Sequence, residues 1–236
     1  MSKDKGSARG YKDVLRDGAH AVLDPLVSGI AALGLRPNHL TVLGLVFSVG
    51  AGLAFAMGRF RTGAFITCLS GLCDILDGQL ARKTNTITRF GAFFDSALDR
   101  FADAALLLGF AWFYMSNLVD MAVNPQRVLL NLQRGLEPIT WAVIAMLAML
   151  AVVGSFLVSY TRARAEGLGI DCKVGWFERP ERIVLVILMG FAGLGPVIPA
   201  GLLVLVILSF WTALQRMTHV YRRTSQRDPD PDHTEA

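Results

Sequence analysis

Cysteine, histidine and charge are all scarce in this chain, and each shortage removes a class of protein. Three cysteines, Cys68, Cys73 and Cys172, are present among 236 residues. An odd count without metal-like spacing argues against a disulfide framework and a zinc site, and favours packing thiols. The four histidines (His20, His39, His219, His233) share no ligand spacing either. Only 18% of residues are charged while 53% are hydrophobic, and the mean hydropathy is +0.46. An ordinary soluble domain is less apolar than this. No nucleic-acid-binding motif accompanies the net charge of +4, so no nucleic-acid partner is expected; anionic lipid headgroups suit basic residues that flank apolar runs. The first 18 residues (MSKDKGSARGYKDVLRDG) lack an apolar stretch directly behind them. No cleavable signal is expected, and the first apolar run would be a retained anchor. No internal repeat is visible.

What the chain has instead is long apolar runs. Crossing a bilayer takes about 20 such residues in a helix. Six runs qualify or approach this: Leu40–Met57, Thr62–Leu80, Gly91–Met115, Ile139–Tyr160, Ile183–Leu194 (short by itself) and Pro199–Val220. Lys and Arg are biased to one side, as cytoplasmic loops are. With six spans, 18 of the 23 fall with the two termini, and Arg59, Arg61, Arg127 and Arg134 fall opposite. Both termini are therefore expected in the cytoplasm. Ahead of the first run, Asp13–Leu35 mixes apolar and charged residues before Pro37-Asn38, which reads as an interfacial helix. The expected fold is an all-α integral membrane protein: six transmembrane helices preceded by an N-terminal interfacial amphipathic helix. Residues 1–39 form the cytoplasmic lead-in, 40–222 the membrane domain, and 223–236 a disordered cytoplasmic tail. The patch PQRVLLNLQRG within Asn117–Pro138 reads as a short surface helix on the far side. Trp112, Tyr114 and Trp141 read as interface aromatics, and Gly50 and Gly52 as sites of close helix packing.

One stretch breaks the apolar pattern. CDILDGQLARKTNTITRFGAFFDSALDR, Cys73 to Arg100, joins the cytoplasmic ends of the second and third runs. Asp74 and Asp77 are three apart and Asp95 and Asp99 four apart, so each pair shares a helix face. Carboxylates in membrane helices are costly and face a cavity or a partner. Four converging anions need cations, and oxygen-only donors suit Mg²⁺, Mn²⁺ or Ca²⁺. Small residues beside them (Gly78, Ala81, Gly91) admit a bulky group near backbone, and Arg82 can bind phosphate.

The pattern Asp74-x-x-Asp77-Gly78-x-x-Ala81-Arg82, then Gly91-x-x-x-Asp95-x-x-x-Asp99, resembles the signature of the CDP-alcohol phosphotransferases at all eight positions. The resemblance extends through Pro37-Asn38-x-Leu40-Thr41 and the span count. It implies displacement of CMP from a CDP-linked alcohol such as CDP-diacylglycerol by a second alcohol. Carried over by position, Asp74, Asp77, Asp95 and Asp99 would hold the metal, with two Mg²⁺ ions expected and Mn²⁺ an alternative. Asp99 would be the general base. Gly78, Ala81 and Gly91 would pack on the cytidine nucleotide, Arg82 would touch its phosphates, and Thr41 would belong to the same subsite. A homodimer in a prokaryotic plasma membrane, with a cytoplasmic active site, is also implied.

Three basic clusters sit at the level of the aspartates. They are SYTRARAEG (Ser159–Gly167), ERPER (Glu178–Arg182) and HVYRR (His219–Arg223). Positive-inside flanking accounts for some of them; an anionic acceptor accounts for their placement at helix ends. SYTRARAEG followed by ERPER resembles the bacterial branch that makes phosphatidylinositol phosphate from CDP-diacylglycerol and inositol phosphate, to which archaeal ether-lipid enzymes are related. That implies Ser159, Arg162, Arg182 and Arg222 around the acceptor phosphate, with Arg164 and Arg223 as neighbouring candidates. Glycerol 3-phosphate is the alternative acceptor. A cation transporter is a remote alternative, disfavoured because the acidic residues cluster at one face and are missing from the middle of the first, fourth, fifth and sixth runs.

Overall fold

Four of the helices begin at a start signal in the sequence, and several run past their apolar stretch into charged residues. The computed structural model describes residues 24–124, 126, 128–129 and 137–225, and no strand occurs among them. We number the helices α1 (24–32), α2 (Pro37–Ala56), α3 (Phe60–Lys83), α4 (Arg89–Val123), α5 (Pro138–Gly167), α6 (Arg179–Ala192) and α7 (Val197–Ser225). Proline stands in the first turn of α2, α5 and α6, where its missing N–H costs no bond. Thr88 caps α4 by accepting from Gly91 N at 2.9 Å.

The six long elements close on one another. α2 packs on α3 and α4, α4 on α5, α5 on α7, α7 on α6, and α6 on α3. The contacts form a ring in the order α2–α3–α6–α7–α5–α4. Between α2 and α4 the backbones touch: a Cβ on Gly109 would run into the Gly52 carbonyl, and one on Gly52 into that of Ala105. Glycine here replaces side-chain contact with backbone contact, which suits a medium in which lipid is as apolar as leucine. Gly50 makes no comparably close approach. Ser70 joins α2 to α3, sharing a hydrogen bond with Ser48 at 2.7 Å and donating to Gly44 O at 2.9 Å. The three cysteines are free, and Cys73 and Cys172 are buried.

Some expectations change. Among the described residues five helices, α2 to α5 and α7, are long and apolar enough to cross a membrane. α6 has 14 residues, about 21 Å at ~1.5 Å per residue, short of a core about 30 Å thick. The third apolar run is longer than expected: α4 has 35 residues and continues to Val123. The lead-in is helical at 24–32 and turns at Gly34, φ +71°; residues 13–23 lie outside the described set. α1 docks on α3. Val27 packs with Leu40, Leu76 and Leu80, and Lys83 pairs with Asp24 at 3.0 Å. α7 runs through Arg222 and Arg223 to Ser225, past the expected start of the tail; 226–236 is not described. Of the surface patch at 125–136, only 126 and 128–129 are described, and these are helical. Trp112 is exposed as expected, but Tyr114 and Trp141 are buried. They pack against each other and against Phe113, edge-on or tilted, in an aromatic cluster with Phe55, Phe60 and Phe110. Their apolar rings gain more from that core than their polar tips would at an interface.

Candidate active site

The α3–α4 hairpin brings the aspartates together, but not as four equals. One carboxylate oxygen each from Asp74, Asp95 and Asp99 lies within 4.8 Å of the others, and all three are half-buried. Asp77 stands apart from this triad. It is buried and accepts from Thr41 Oγ1 of α2 at 2.8 Å. Three hard oxygen donors at this separation fit a divalent cation such as Mg²⁺, Mn²⁺ or Ca²⁺.

Two cavities flank the triad. One, about 220 Å³, is lined by Thr41, Asp77, Gly78, Ala81, Arg82, Gly91 and Asp95, so every residue expected around the nucleotide borders it. A Cβ on Gly91 would crowd Thr88 Oγ1 at 3.0 Å, and one on Gly78 would lie 3.7 Å from the Arg82 guanidinium. The other, about 160 Å³, has walls from α4, α5, α6 and α7. Ser159, Arg162 and Arg182, three of the four residues expected around the acceptor phosphate, line it together with Arg100, Arg179 and Arg216. Against these five guanidiniums stand the carboxylates of Asp99, Asp103 and Glu178. Counted as formal charges, the wall carries an excess of two positive charges.

Arg222 is not part of that wall. It is exposed in the last turn of α7, as is Arg223, and Arg164 is exposed on α5. The residue α7 contributes is Arg216, 2% exposed. It donates to Val158 O at 2.5 Å, Val174 O at 2.9 Å and Glu178 Oε1 at 3.0 Å. Gly175, φ +113°, lets the loop before α6 lie on Thr212 and Arg216, where a Cβ would collide.

The first turn of α6 supplies two more of the arginines. Glu178 is the N-cap, and its N–H donates to Glu181 Oε2 at 3.0 Å, half of a capping box. Arg179 and Arg182 are three apart and share a face. Cations at a helix N-terminus are opposed by the macrodipole. Carboxylates offset this. Arg179 Nη1 pairs with Asp74 and, at 3.0 Å, with Asp99 Oδ1, and Arg179 Nε lies 3.5 Å from Asp103 Oδ1. Arg182 Nη2 donates to Asp103 Oδ2 at 2.8 Å, and Ser155 Oγ donates to the same oxygen at 2.7 Å. Arg182, 4% exposed, keeps Nε and Nη1 without a partner. Buried unpaired donors are expensive, and these border a positively charged cavity.

Asp103, Arg179 and Arg216 were not singled out by sequence. Asp103 follows Asp99 by the same four-residue step that separates Asp99 from Asp95, and Arg216 is a charge inside an apolar run; both signals were available.

The model of the CDP-alcohol phosphatidyltransferase family matches residues 35–215. The chain belongs to that family. An archaetidylinositol phosphate synthase of Methanothermobacter thermautotrophicus is 33% identical over 204 residues, covering 85% of this chain and 89% of the relative. A phosphatidylinositol phosphate synthase of Mycobacterium tuberculosis is 31% identical over 207 residues, covering 85% and 86%. A crystal structure of the M. tuberculosis phosphatidylinositol phosphate synthase with CDP-DAG bound superposes with a TM-score of 0.67 at 30% identity, covering 84% of this chain and 92% of that one. Another, in complex with manganese and citrate, gives 0.68 at 30% identity, covering 84% and 88%. As a phosphatidyltransferase, the chain has its eight signature residues at the aspartate triad and the 220 Å³ cavity beside it.

Proposed function

We propose that this phosphatidyltransferase moves the phosphatidyl group of CDP-diacylglycerol to inositol phosphate, releasing CMP and forming phosphatidylinositol phosphate. The observation that carries this is the position of two triad members one turn apart on α4. Asp95 borders the cavity edged by the signature glycines, and Asp99 borders the arginine cavity. Donor and acceptor would approach the same carboxylates from opposite sides. The excess of two positive charges in the second cavity matches a phosphate monoester dianion.

Gly78, Ala81, Gly91, Thr41 and Arg82 would hold the nucleotide, with its acyl chains in lipid. Ser159, Arg162, Arg182 and Arg216 would hold the acceptor phosphate. Asp99 would accept the proton of the attacking hydroxyl as the new oxygen–phosphorus bond forms and CMP leaves. Asp74, Asp95 and Asp99 would hold one divalent ion, and Asp77 with Asp74 and Asp95 a second. Bound Mg²⁺ or Mn²⁺ supplies charge neutralisation on the pyrophosphate and the departing CMP. In this reading residues 40–222 form a membrane domain of six spans, α6 crossing with help from the residues that follow it. α1 and the segment before it lie at the interface, and the site and both termini face the cytoplasm of a prokaryotic cell. A homodimer fits the family resemblance.

CMP release by purified protein with CDP-diacylglycerol and Mg²⁺ tests this, adding inositol phosphate, glycerol 3-phosphate, free inositol or serine singly. Release should follow inositol phosphate and vanish in Asp99→Asn. Release driven by glycerol 3-phosphate alone would discard the acceptor assignment and keep the aspartate site.

A further inference from the structure

Arg179 touches both halves of the site, and two atoms around it are unsatisfied. Its Nη1 bridges Asp74 and Asp99, two of the three triad carboxylates. A divalent cation held by those oxygens and a guanidinium on the same oxygens exclude each other by charge and by space. On the far side of the same guanidinium, Arg179 Nε and Asp103 Oδ1 face each other at 3.5 Å. Both are buried and neither makes a hydrogen bond. Closing that gap by about half an ångström would satisfy both.

We propose that Arg179 is a two-position side chain that gives up Asp74 and Asp99 for Asp103 when the divalent cation binds, and so couples the metal site to the acceptor cavity. The proposal rests on the reading of the aspartate triad as the metal site. The backbone of Arg179 is held by the capping box and Pro180, which leaves the motion to side-chain torsions. The receiving carboxylate is already fixed: Asp103 is 6% exposed and accepts from Ser155 and Arg182. A guanidinium that shifts to Asp103 stays on the wall of the arginine cavity, where Arg179 is already a lining residue. Arg179 and Arg182 then share the single carboxylate of Asp103, which leaves one of the two positive charges to act on the acceptor phosphate. Metal and acceptor therefore favour each other's binding, by reciprocal linkage.

The test is calorimetric titration of Mn²⁺ alone into the full chain in detergent, with no nucleotide or acceptor. Wild type, Arg179→Gln, Asp103→Asn and the double variant are compared, and Arg162→Gln serves as a charge-matched control that touches no triad carboxylate. Arg179→Gln should tighten Mn²⁺ binding about tenfold, the scale of one charge-assisted pair removed from competition. Arg162→Gln should change it by less than about twofold, because its charge acts only through space. Asp103→Asn should weaken Mn²⁺ binding several-fold in wild type, where Arg179 loses its second position. In the Arg179→Gln background the same change should have an effect under about twofold. Equal tightening by Arg179→Gln and Arg162→Gln, or equal Asp103→Asn effects in both backgrounds, would overturn the exchange. Should Asp103→Asn fail to fold, the comparison of the two arginine variants decides alone. Absence of Mn²⁺ binding in every protein would overturn the metal site and the exchange together. Mn²⁺ binding as described, without acceptor-dependent CMP release, would leave the exchange standing and remove the proposed reaction.

Discussion

Replacing Arg216 by methionine separates its role from that of Arg222 on the same helix. The family resemblance implied Arg222, whereas Arg216 lines the cavity. Arg216 is 2% exposed and serves three acceptors, the carbonyls of Val158 and Val174 and the carboxylate of Glu178. Breaking a buried ion pair from one side costs about 3–5 kcal/mol. Glu178 is about two-fifths exposed, so water compensates part of its loss, and methionine recovers the packing of the stem; the net cost falls to about 2–3 kcal/mol. The same change removes one positive charge from the acceptor wall. A hydrogen bond to a charged group contributes about 1.5–3 kcal/mol, or about ten- to a hundredfold in acceptor affinity. Thermal unfolding in detergent would read the first effect, and CMP release against acceptor concentration the second. Arg216→Met should lower the melting midpoint and raise the acceptor KM by at least about tenfold. Arg222→Met, an exposed change, should stay within about 0.5 kcal/mol and leave KM unchanged. A larger KM effect from Arg222→Met than from Arg216→Met would refute the assignment.

Gly109→Ala should destabilise the fold by about 2–3 kcal/mol, since its Cβ meets a backbone carbonyl that cannot step aside; Gly71→Ala, with open space around it, should melt like wild type. Thr41→Val deletes the donor to buried Asp77, a loss of about 1–3 kcal/mol that should raise the KM for CDP-diacylglycerol and leave the acceptor KM alone; equal rises would contradict the separation of the two cavities. Asp77→Asn should lower the Mn²⁺ stoichiometry from two to one while the triad still binds. Chelation should stop CMP release, and added Mg²⁺ or Mn²⁺ should restore it.

The sequence made the hairpin legible because its chemistry is local. Asp74 and Asp77 share one helix face and Asp95 and Asp99 another, and a short connection brings the faces together, so spacing pointed to a carboxylate cluster, while the nucleotide residues came from the family resemblance. The split of the carboxylates into a triad and a buried fourth was not legible, because it depends on Thr41, 36 residues from Asp77. Asp103 and Arg179 were hidden for the same reason. Their roles arise where the start of α6 meets α3 and α4, across 105 residues between Arg179 and Asp74 and 79 between Arg182 and Asp103. Tyr114 and Trp141 carry composition typical of an interface, and only the ring of helices reveals that their side of α4 and α5 faces inward. The length of α4 was misjudged because polar Ser116 and Asn117 look like an end, whereas each donates to a carbonyl in the preceding turn and continues the helix.

The most direct measurement offers the purified protein CDP-diacylglycerol, Mg²⁺ and an equimolar mixture of inositol phosphate and glycerol 3-phosphate, and identifies the lipid product by mass. The account requires phosphatidylinositol phosphate as the dominant product in wild type and none in Asp99→Asn. Phosphatidylglycerol phosphate as the dominant product would contradict it.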